Sequence, residues 1–282
     1  MKKKIGFWIV LIVCLLAFCP MQVRAEECQH EWGEWEIMYD STCNTHGAES
    51  RYCKLCWLGQ ERELPIGDHC WGEWECIRKA DAFRTGYYKR ECECCGKVNS
   101  KTTPKLKSVK TTTKLENEVK RSATAFLAAA KKYDVKKLKS CFRKKPSLFY
   151  SKKYIASFVR KSNKKYMKYV ITSIKMKGKK DATVTVSCKY QNAYDIFYQS
   201  FFDTVNYITD TGNTNSYVLD KYQYDRVVKY NKKYKKHFTI KTFDINMKKI
   251  GKKWKITSFT KKMKDAIHCN YQSSYNEYFE DV

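Results

Sequence analysis

The amino-acid sequence predicts an α+β protein, in which two small cysteine-rich β-hairpin repeats precede a domain of helices and antiparallel strands. Nine of the 14 cysteines crowd between Cys28 and Cys95. That segment repeats itself after 39 residues. Beyond residue 113, apolar residues recur first at helical spacing and then at alternate positions, which predicts helices that cover a β-sheet.

The first 25 residues have the composition of an export signal. Three lysines precede an apolar run that reaches residue 18, and the small Ala25 offers a cleavage point. We therefore expect a cleaved signal at 1–25 and an extracytoplasmic protein, secreted or at the cell surface, with no other membrane segment. A retained anchor would need about 20 apolar residues, and Pro20 and Arg24 interrupt the run. A lipid anchor at Cys19 is a further alternative, which the bulky residue before it disfavours.

Charge divides the remaining chain at the same place as cysteine content. Residues 26–100 carry a net charge of −6, and residues 101–282 carry a net charge of +29. Between them lies a Thr-rich stretch without apolar periodicity, which is typical of a linker. The predicted organisation is a signal at 1–25, tandem repeats at 26–100, a linker at 101–113 and a basic domain at 114–282.

The repeated segment keeps the same residue types at the same spacing. Residues 30–62 align with residues 69–101 without a gap, and both copies contain His-x-Trp-Gly-Glu-Trp. The shared positions further on are Gly47 and Gly86, Arg51 and Arg90, Cys53 and Cys92, and Cys56 and Cys95. Agreement at one fixed period indicates a tandem repeat.

Each repeat is too short to bury a sizeable core, so it needs a staple of metal or disulfide. Two cysteines separated by two residues aim both sulfurs at one point, and a third cysteine and a histidine complete a tetrahedral zinc site. The first repeat offers His30, Cys43, Cys53 and Cys56. The second offers His69, Cys92 and Cys95. Because Ala82 stands in the position of Cys43, we expect Cys76, or else Cys70, as its fourth ligand.

Disulfides are the alternative staple. Two of the 14 cysteines lie in the signal, and the other 12 could form six bridges in an oxidising compartment. A catalytic thiol pair is a third alternative. It is disfavoured because thioredoxin-type pairs open a helix, whereas these pairs follow short polar strand-like runs. The sequence leaves zinc and disulfides open.

The repeat pattern consists of His-x-Trp-x-x-Trp, Cys, Gly, Arg-x-Cys-x-x-Cys and a closing Gly-x-His, here Gly67-Asp68-His69. It resembles the short cysteine-rich repeats of proteins exported by anaerobic Gram-positive bacteria, over about a quarter of the chain. The resemblance implies a surface-exposed module that acts as a spacer or an adhesive element and has no known chemistry. For the fold of each repeat we expect a zinc-ribbon-like β-hairpin. The second repeat departs from the pattern at Ala82 and by its extra cysteines, which are Cys70, Cys76 and Cys94.

The basic domain opens with predicted helices. Thr113 and Glu116 have the spacing of a capping box. Apolar residues then follow one helical stripe over 115–130, Asp134 can cap a second short helix, and a third helix is expected around 154–159.

Alternating apolar residues predict the strands of this domain. Residues 170–176 and 182–190 form a predicted hairpin. Residues 238–247 predict a long strand whose alternation slips at Thr242, as a bulge would cause. A turn at Gly251 leads into a last strand.

Two further stretches are expected to be helical at least in part. Residues 192–230 give a mixed pattern, with a helix near 196–208. A closing helix is expected over 262–279.

The order of helices, hairpin, excursion and hairpin ends in the run Met-Lys-Lys-Ile-Gly-Lys-Lys-Trp-Lys-Ile at 247–256. This order resembles NTF2-like domains of exported Gram-positive proteins over residues 114–260. The resemblance implies a cone-shaped half-barrel whose open mouth holds a small ligand. Some domains with this cone are enzymes with acid/base residues inside it, so the fold by itself does not indicate catalysis.

Catalytic groups are sparse in the basic domain. Its two histidines are His237, expected to be exposed, and His268, which would point about 100° away from Cys269 on a shared helix. The sequence contains no phosphate loop, nucleophile elbow or protease motif. It therefore predicts a non-enzymatic protein. The alternative is an extracytoplasmic enzyme that uses the cone or thiol exchange at the Cys-x-x-Cys pairs.

The charge of the basic domain predicts affinity for polyanions. Outside a Gram-positive membrane these are teichoic acids, anionic lipid headgroups and extracellular DNA. An ordinary solvated lysine surface is the alternative interpretation, and four arginines beyond residue 100 are too few to favour a specific nucleic-acid site. We expect an exported surface protein that binds an anionic cell-wall polymer or a small ligand.

Overall fold

The computed structural model of the chain describes residues 28–146 and 153–280, and the predicted signal lies outside them. The described residues form two compact units. The first unit holds residues 28–73 and 90–99, and the second holds residues 74–89, 100–146 and 153–280. The second unit thus combines a hairpin of the second repeat with the basic domain.

Each repeat forms a small three-stranded sheet, in which a third strand pairs with the predicted hairpin. The first sheet contains β1 (Glu36–Tyr39), β2 (Gly47–Tyr52) and β3 (Gly59–Leu64). The second contains β4 (Glu75–Arg78), β5 (Gly86–Glu91) and β6 (Val98–Thr103). β6 crosses residue 100, the predicted end of the repeats.

The main-chain hydrogen bonds of the two repeats match pair by pair. The Gly33 N–H donates to the Tyr52 carbonyl at 2.9 Å, and the Gly72 N–H donates to the Glu91 carbonyl at 3.0 Å. The 39-residue period is therefore a structural repeat as well as a sequence repeat.

A tight turn follows the first strand of each repeat. Equivalent turns, each closed by a hydrogen bond of 3.0 Å, span residues 42–45 and 81–84. At the tip of the second turn, the Ala82 N–H donates to Ser187 Oγ of the basic domain at 3.3 Å. Ser187 is fully buried, so this turn covers part of the basic domain.

The repeats lack a hydrophobic core of their own. Among described residues 28–103, the buried apolar residues are Ala48, Cys53 and Cys92. None of them belongs to the large core cluster, whose first member along the chain is Val119. Apolar burial of this extent cannot hold two small sheets, so a staple is required.

Three helices open the basic domain, as predicted. They are α1 (Lys114–Lys132), α2 (Val135–Ser140) and α3 (Lys153–Tyr166). Thr113 and Glu116 form both hydrogen bonds of the capping box, and Asp134 caps α2. Phe126 and Leu127 of the predicted stripe are fully buried.

A four-stranded antiparallel sheet lies at the centre of the basic domain. Its strands are β7 (Lys168–Lys177), β8 (Asp181–Gln191), β9 (Phe238–Ile250) and β10 (Lys253–Ile256), in the order β10-β9-β8-β7. Val184, Val186 and Ile245 lie on its core face without solvent exposure. α1 and α3 pack on this sheet, so the domain is a helix-on-sheet α+β structure.

The bulge predicted at Thr242 is wrong. β8 and β9 pair without a shift along this stretch, so Phe238 and Ile240 lie on the face opposite to Phe243. The apolar residues change face while the strand keeps its register, and on the second face the Tyr166 ring at the end of α3 packs on Phe238. A register shift occurs instead in β7, after Ile171.

Two helices occupy the stretch with the mixed pattern. α4 (Tyr194–Thr211) includes the helix predicted near 196–208, and α5 (Ser216–Tyr234) is a helix that the pattern does not predict. Asn215 caps α5 by accepting from two N–H groups of its first turn. Within the described parts of the chain, no helix is long and apolar enough to cross a membrane.

The expected single closing helix is wrong, because the chain breaks it into α6 (Lys261–Ile267) and α7 (Tyr271–Glu280). Cys269 and Asn270 have φ values of 55° and 65°, which end a right-handed helix. The Asn270 side chain explains the break: it accepts from Tyr190 Oη at 2.8 Å and donates to Asn192 Oδ1 at 2.6 Å.

Candidate metal centres

Two Cys-x-x-Cys turns stand at matching places in the repeats. The first cysteines, Cys53 and Cys92, each form an antiparallel bridge with the first tryptophan of the repeat. The N–H four residues later donates back to the carbonyl of that cysteine at 2.9 Å in both turns. This tight turn brings the second cysteine, Cys56 or Cys95, beside the first.

Cys28, His30, Cys53 and Cys56 form the first cluster, and their ligand atoms all lie within 4.8 Å of one another. Cys28 Sγ lies 3.9 Å from Cys53 Sγ, and Cys56 Sγ lies 3.3 Å from His30 Nδ1. Cys53 is buried, Cys28 is partly buried and the other two are exposed. The cluster is therefore built at the surface around one buried thiol.

Cys43, His69, Cys92 and Cys95 form the second cluster, whose ligand atoms also lie within 4.8 Å of one another. Cys43 Sγ lies 3.5 Å from Cys92 Sγ, and Cys95 Sγ lies 3.4 Å from His69 Nδ1. Cys43 belongs to the first repeat, at the tip of its turn 42–45. One repeat thus completes the cluster of the next.

The clusters differ from the expected ligand sets at two places. Cys43, expected beside His30, lies in the second cluster, and Cys28 takes its place in the first. Cys76, expected as the fourth ligand of the second site, lies on the exposed strand β4 and in neither cluster. Cys70, the other candidate, also lies outside both.

The difference arises because the sequence interpretation closes each site within its own repeat. The turn that carries Cys43 reaches the following Cys-x-x-Cys turn instead. Two signals in the sequence point to this arrangement. Cys28 precedes His30 by two residues and has no counterpart in the second repeat, and Ala82 shows that the second turn needs no cysteine.

The distances within both clusters fit a tetrahedral metal ion. Zinc–sulfur bonds of about 2.3 Å and zinc–nitrogen bonds of about 2.0 Å at tetrahedral angles place two sulfurs about 3.8 Å apart, and sulfur and nitrogen about 3.5 Å apart. The observed distances are 3.9 and 3.5 Å between sulfurs and 3.3 and 3.4 Å between sulfur and nitrogen. Each cluster can therefore hold a metal ion with little rearrangement.

The first cysteine of each turn is prepared to be a thiolate. Burial by itself raises the pKa of Cys53, but backbone N–H donors in the turn and the His30 ring lower it to about 6. The pKa of Cys92 is lowered to about 6 by equivalent donors against the same effect of burial. Burial, followed by hydrogen bonds to its two cysteine neighbours, raises the pKa of Cys43 to about 12. A metal ion that deprotonates all three thiols therefore releases protons on binding.

The tryptophans and arginines of the repeat pattern orient the histidine ligands. The Arg51 guanidinium lies 4.9 Å from the Trp32 ring centroid, and Arg90 lies 4.8 Å from the Trp71 ring centroid. The same rings lie 5.0 and 4.7 Å from the histidine ring of their own repeat. In each repeat the guanidinium lies over the indole, and the imidazole contacts the same indole in a tilted arrangement.

The shared glycines allow close approach of the backbone at the start of β2 and β5. A Cβ atom at Gly47 would lie 2.5 Å from the Ser41 nitrogen, and one at Gly86 would collide with Thr103 Oγ1. Any side chain at either position would push apart the turn and the strand.

The second unit carries a basic pocket of about 370 Å³ beside α1 and the β9–β10 hairpin. Its cations are Arg121, Lys252, Lys253 and Lys255. The carboxylate in its wall, Glu118, accepts from Lys249 Nζ at 2.7 Å and from Trp254 Nε1 at 3.4 Å. Since that carboxylate is already neutralised, the pocket favours an anion.

An apolar cavity of about 590 Å³ lies among α4, α5 and α7. Aromatic rings contribute much of its wall, namely Phe201, Tyr271, Tyr275 and Phe279. Gln223 and Gln272 add amide groups.

The two histidines of the basic domain lie in different surroundings. His237 is exposed and precedes β9, 3.7 Å from Asp195. Burial lowers the pKa of His268 to about 4 against the opposing effect of Asp265, and burial raises the pKa of Cys269 to about 12. His268 and Cys269 are therefore a neutral imidazole and a neutral thiol inside the core.

Comparison with protein families, curated proteins and solved structures finds no significant match. The function has to be argued from the sites themselves.

Proposed function

We propose that this chain is an exported, non-enzymatic surface protein, in which zinc staples the two repeats and the basic domain binds an anionic cell-wall polymer. The pair of four-donor clusters carries the first part of this proposal. Three thiolates and an imidazole are a preferred ligand set of structural zinc, and four protein ligands leave no open position for a substrate. Bound zinc would replace the apolar core that the repeats lack.

Elemental analysis of the purified chain tests the zinc staple. We expect two zinc ions per chain, with release of zinc as the pH falls and the thiolates are protonated. If the protein contains no zinc and its mass is lower by two hydrogens for each of six bridges, disulfides and not metal hold the repeats together.

The basic pocket and the charge around it support the second part. Arg121, Lys252 and Lys253 are exposed, so a phosphate of a long polymer can reach them, while further phosphates meet the lysine surface of residues 101–282, which carry a net charge of +29. Teichoic acid is a polymer of this kind. Its affinity should fall steeply with salt, because each neutralised phosphate releases a counterion. An affinity that stays flat from low to high salt would refute electrostatic binding.

An NTF2-like cone with a small ligand is a second candidate for the basic domain. A four-stranded antiparallel sheet with α1 and α3 packed on it supports this proposal, and the apolar cavity among α4, α5 and α7 favours a ligand with a ring or an alkyl chain. A fluorescent apolar probe should bind there, and Val205→Trp, which places a bulky ring in the cavity wall, should weaken the signal. Unchanged probe binding in that variant would assign the signal to another surface.

The enzymatic alternative requires free thiols in the turns or acid/base groups in the cone. The thiols of both turns belong to four-donor clusters, which a metal occupies, and burial keeps His268 neutral. Turnover in an insulin-reduction assay that disappears in Cys53→Ser would instead establish thiol exchange.

A further inference from the structure

Three cysteines of the second repeat lie outside the metal clusters, and two of these are in contact. The Cys94 thiol interacts with the Cys70 thiol through a hydrogen bond, and to a smaller extent with the Cys92 thiol. Their backbones are adjacent as well, because the Glu93 N–H donates to the Cys70 carbonyl at 2.9 Å. Both thiols are exposed, and the third cysteine, Cys76, is elsewhere on β4.

The first repeat shows what this place looks like without cysteines. Glu31 and Leu55 occupy the positions equivalent to Cys70 and Cys94. The backbone is the same there, since the Lys54 N–H donates to the Glu31 carbonyl at 2.8 Å. The two positions beside this hydrogen bond are therefore both cysteine in the second repeat, and a glutamate and a leucine in the first.

We propose that Cys70 and Cys94 form a disulfide beside the second metal cluster. The two exposed thiols interact, and a main-chain hydrogen bond present in both repeats joins the Cys70 carbonyl to the residue before Cys94, which favours a bridge between them. The ligand cysteines do not compete for it when metal holds them as thiolates. This inference rests on the proposed function in two respects: export supplies the oxidant, and the metal occupies the ligand cysteines.

The bond forms by two thiol–disulfide exchanges with a small-molecule disulfide such as oxidised glutathione. The Cys70 thiolate attacks one glutathione sulfur and releases the first glutathione thiolate. The Cys94 thiolate then attacks the Cys70 sulfur of the mixed disulfide and releases the second. The two protein thiols lose two electrons and two protons, and the oxidant is reduced to two thiols.

The bridge supports the second cluster from outside. It joins the residue after His69 to the residue before Cys95, so two ligands stay close to each other when the metal leaves. We therefore expect the metal of the second cluster to leave more slowly than it does without the bridge.

Peptide mapping of the full chain tests the proposal. Protein is equilibrated with zinc and a glutathione redox buffer, then denatured with a chelator and N-ethylmaleimide, which blocks all free thiols. Trypsin cuts after Arg62, Arg78, Arg90 and Lys97. We expect peptide 63–78 to be joined to peptide 91–97, in the parent protein and in Cys76→Ser, and to be free of it in Cys94→Ser. N-ethylmaleimide on both Cys70 and Cys94, or a link that persists in Cys94→Ser, would overturn the proposal.

The double variant Cys70→Glu/Cys94→Leu is a matched control, because it restores the residues of the first repeat. It should keep two zinc ions and lose one of them to a chelator several-fold faster than the oxidised parent. Zinc measured in the same samples separates the two proposals. Two zinc ions without the link reject the disulfide alone, and the link without zinc rejects the zinc staple alone.

Discussion

One backbone position in each Cys-x-x-Cys turn is left-handed. Trp57 has a φ of 61° in the first repeat, and Gly96 has a φ of 71° at the equivalent place in the second. A residue with a Cβ atom loses about 1–2 kcal/mol in this conformation. The Trp57 side chain is 78% exposed, so packing offsets little of that loss.

Trp57→Gly should therefore stabilise the metal-loaded repeats by about 1 kcal/mol. Gly96→Ala should destabilise them by a similar amount. Denaturant unfolding of the two variants beside the parent measures both changes. A Trp57→Gly variant less stable than the parent would show that the exposed indole makes a contact worth more than the strain.

His268 predicts a dependence of stability on pH. Burial lowers its pKa to about 4 from the usual 6.5 of a histidine, with Asp265 opposing and Lys264 adding to the shift. Between these values the unfolded chain binds a proton that the folded chain does not, so the free energy of unfolding falls as the pH drops through this interval.

His268→Phe should flatten that dependence, since Tyr133 and Phe259 already surround the ring. Urea unfolding of parent and variant between these pH values measures the difference in their free energies of unfolding. Both proteins lose metal at low pH in the same way, so that effect cancels in the difference. Identical pH profiles for both proteins would mean that His268 is protonated in the folded state.

At the scale of elements, the turn 42–45 is the part that links the two metal clusters. Cys43→Ser should reduce zinc from two ions per chain to one, because it removes a ligand of the second cluster. Mild alkylation should then reach Cys92 and Cys95 and spare Cys53 and Cys56. The reverse pattern would place Cys43 in the first site, as the sequence interpretation does.

Cys28→Ser should also remove one zinc ion but expose the opposite pair of cysteines. Cys76→Ser is the control with both clusters intact. Loss of zinc in that control would restore Cys76 as a ligand.

Elements whose signals are local were predictable from the sequence. The capping box at Thr113 and Glu116 fixed the start of α1, and clear alternation on both sides of Gly178 gave the β7–β8 hairpin. α5 was missed because its lysines, tyrosines and aspartates form only a weak apolar stripe, with Gln223 and Val227 its buried residues.

Features that depend on tertiary contacts could not be predicted from the sequence pattern. The break between α6 and α7 depends on the buried Asn270, whose partners lie about 80 residues away in sequence. The face change in β9 places Phe238 against the Tyr166 ring of α3. The ligand types were predictable, but their distribution was not, because no spacing rule says which repeat the Cys43 turn will reach.

For the whole molecule, the question is whether polyanion binding is local or spread over the surface. Lys252→Ala/Lys253→Ala removes two charges from the basic pocket, and Lys161→Ala/Lys164→Ala removes two exposed charges from α3. A local site predicts about tenfold weaker teichoic acid binding for the first pair and a small effect for the second. The salt dependence should lose about two counterions in the first pair.

Equal losses in both pairs would mean that the lysines act as a diffuse surface. Binding measured at several salt concentrations, with circular dichroism to show that both variants fold, separates these outcomes. Titration with the same polymer after chelation tells whether the repeats contribute.

The turn tips give the repeat array a direction, with consequences for how such a protein can lengthen. The first tip supplies Cys43 to the next module, whereas the last tip carries Ala82 and contacts Ser187 of the basic domain. A duplicated copy of the first repeat, inserted ahead of the second repeat, would bring the cysteine that the repeat after it needs. A duplicated copy of the second would leave its successor with three ligands. The array can therefore lengthen by duplication of the first repeat but not of the second, and Ala82 marks the last repeat of the array.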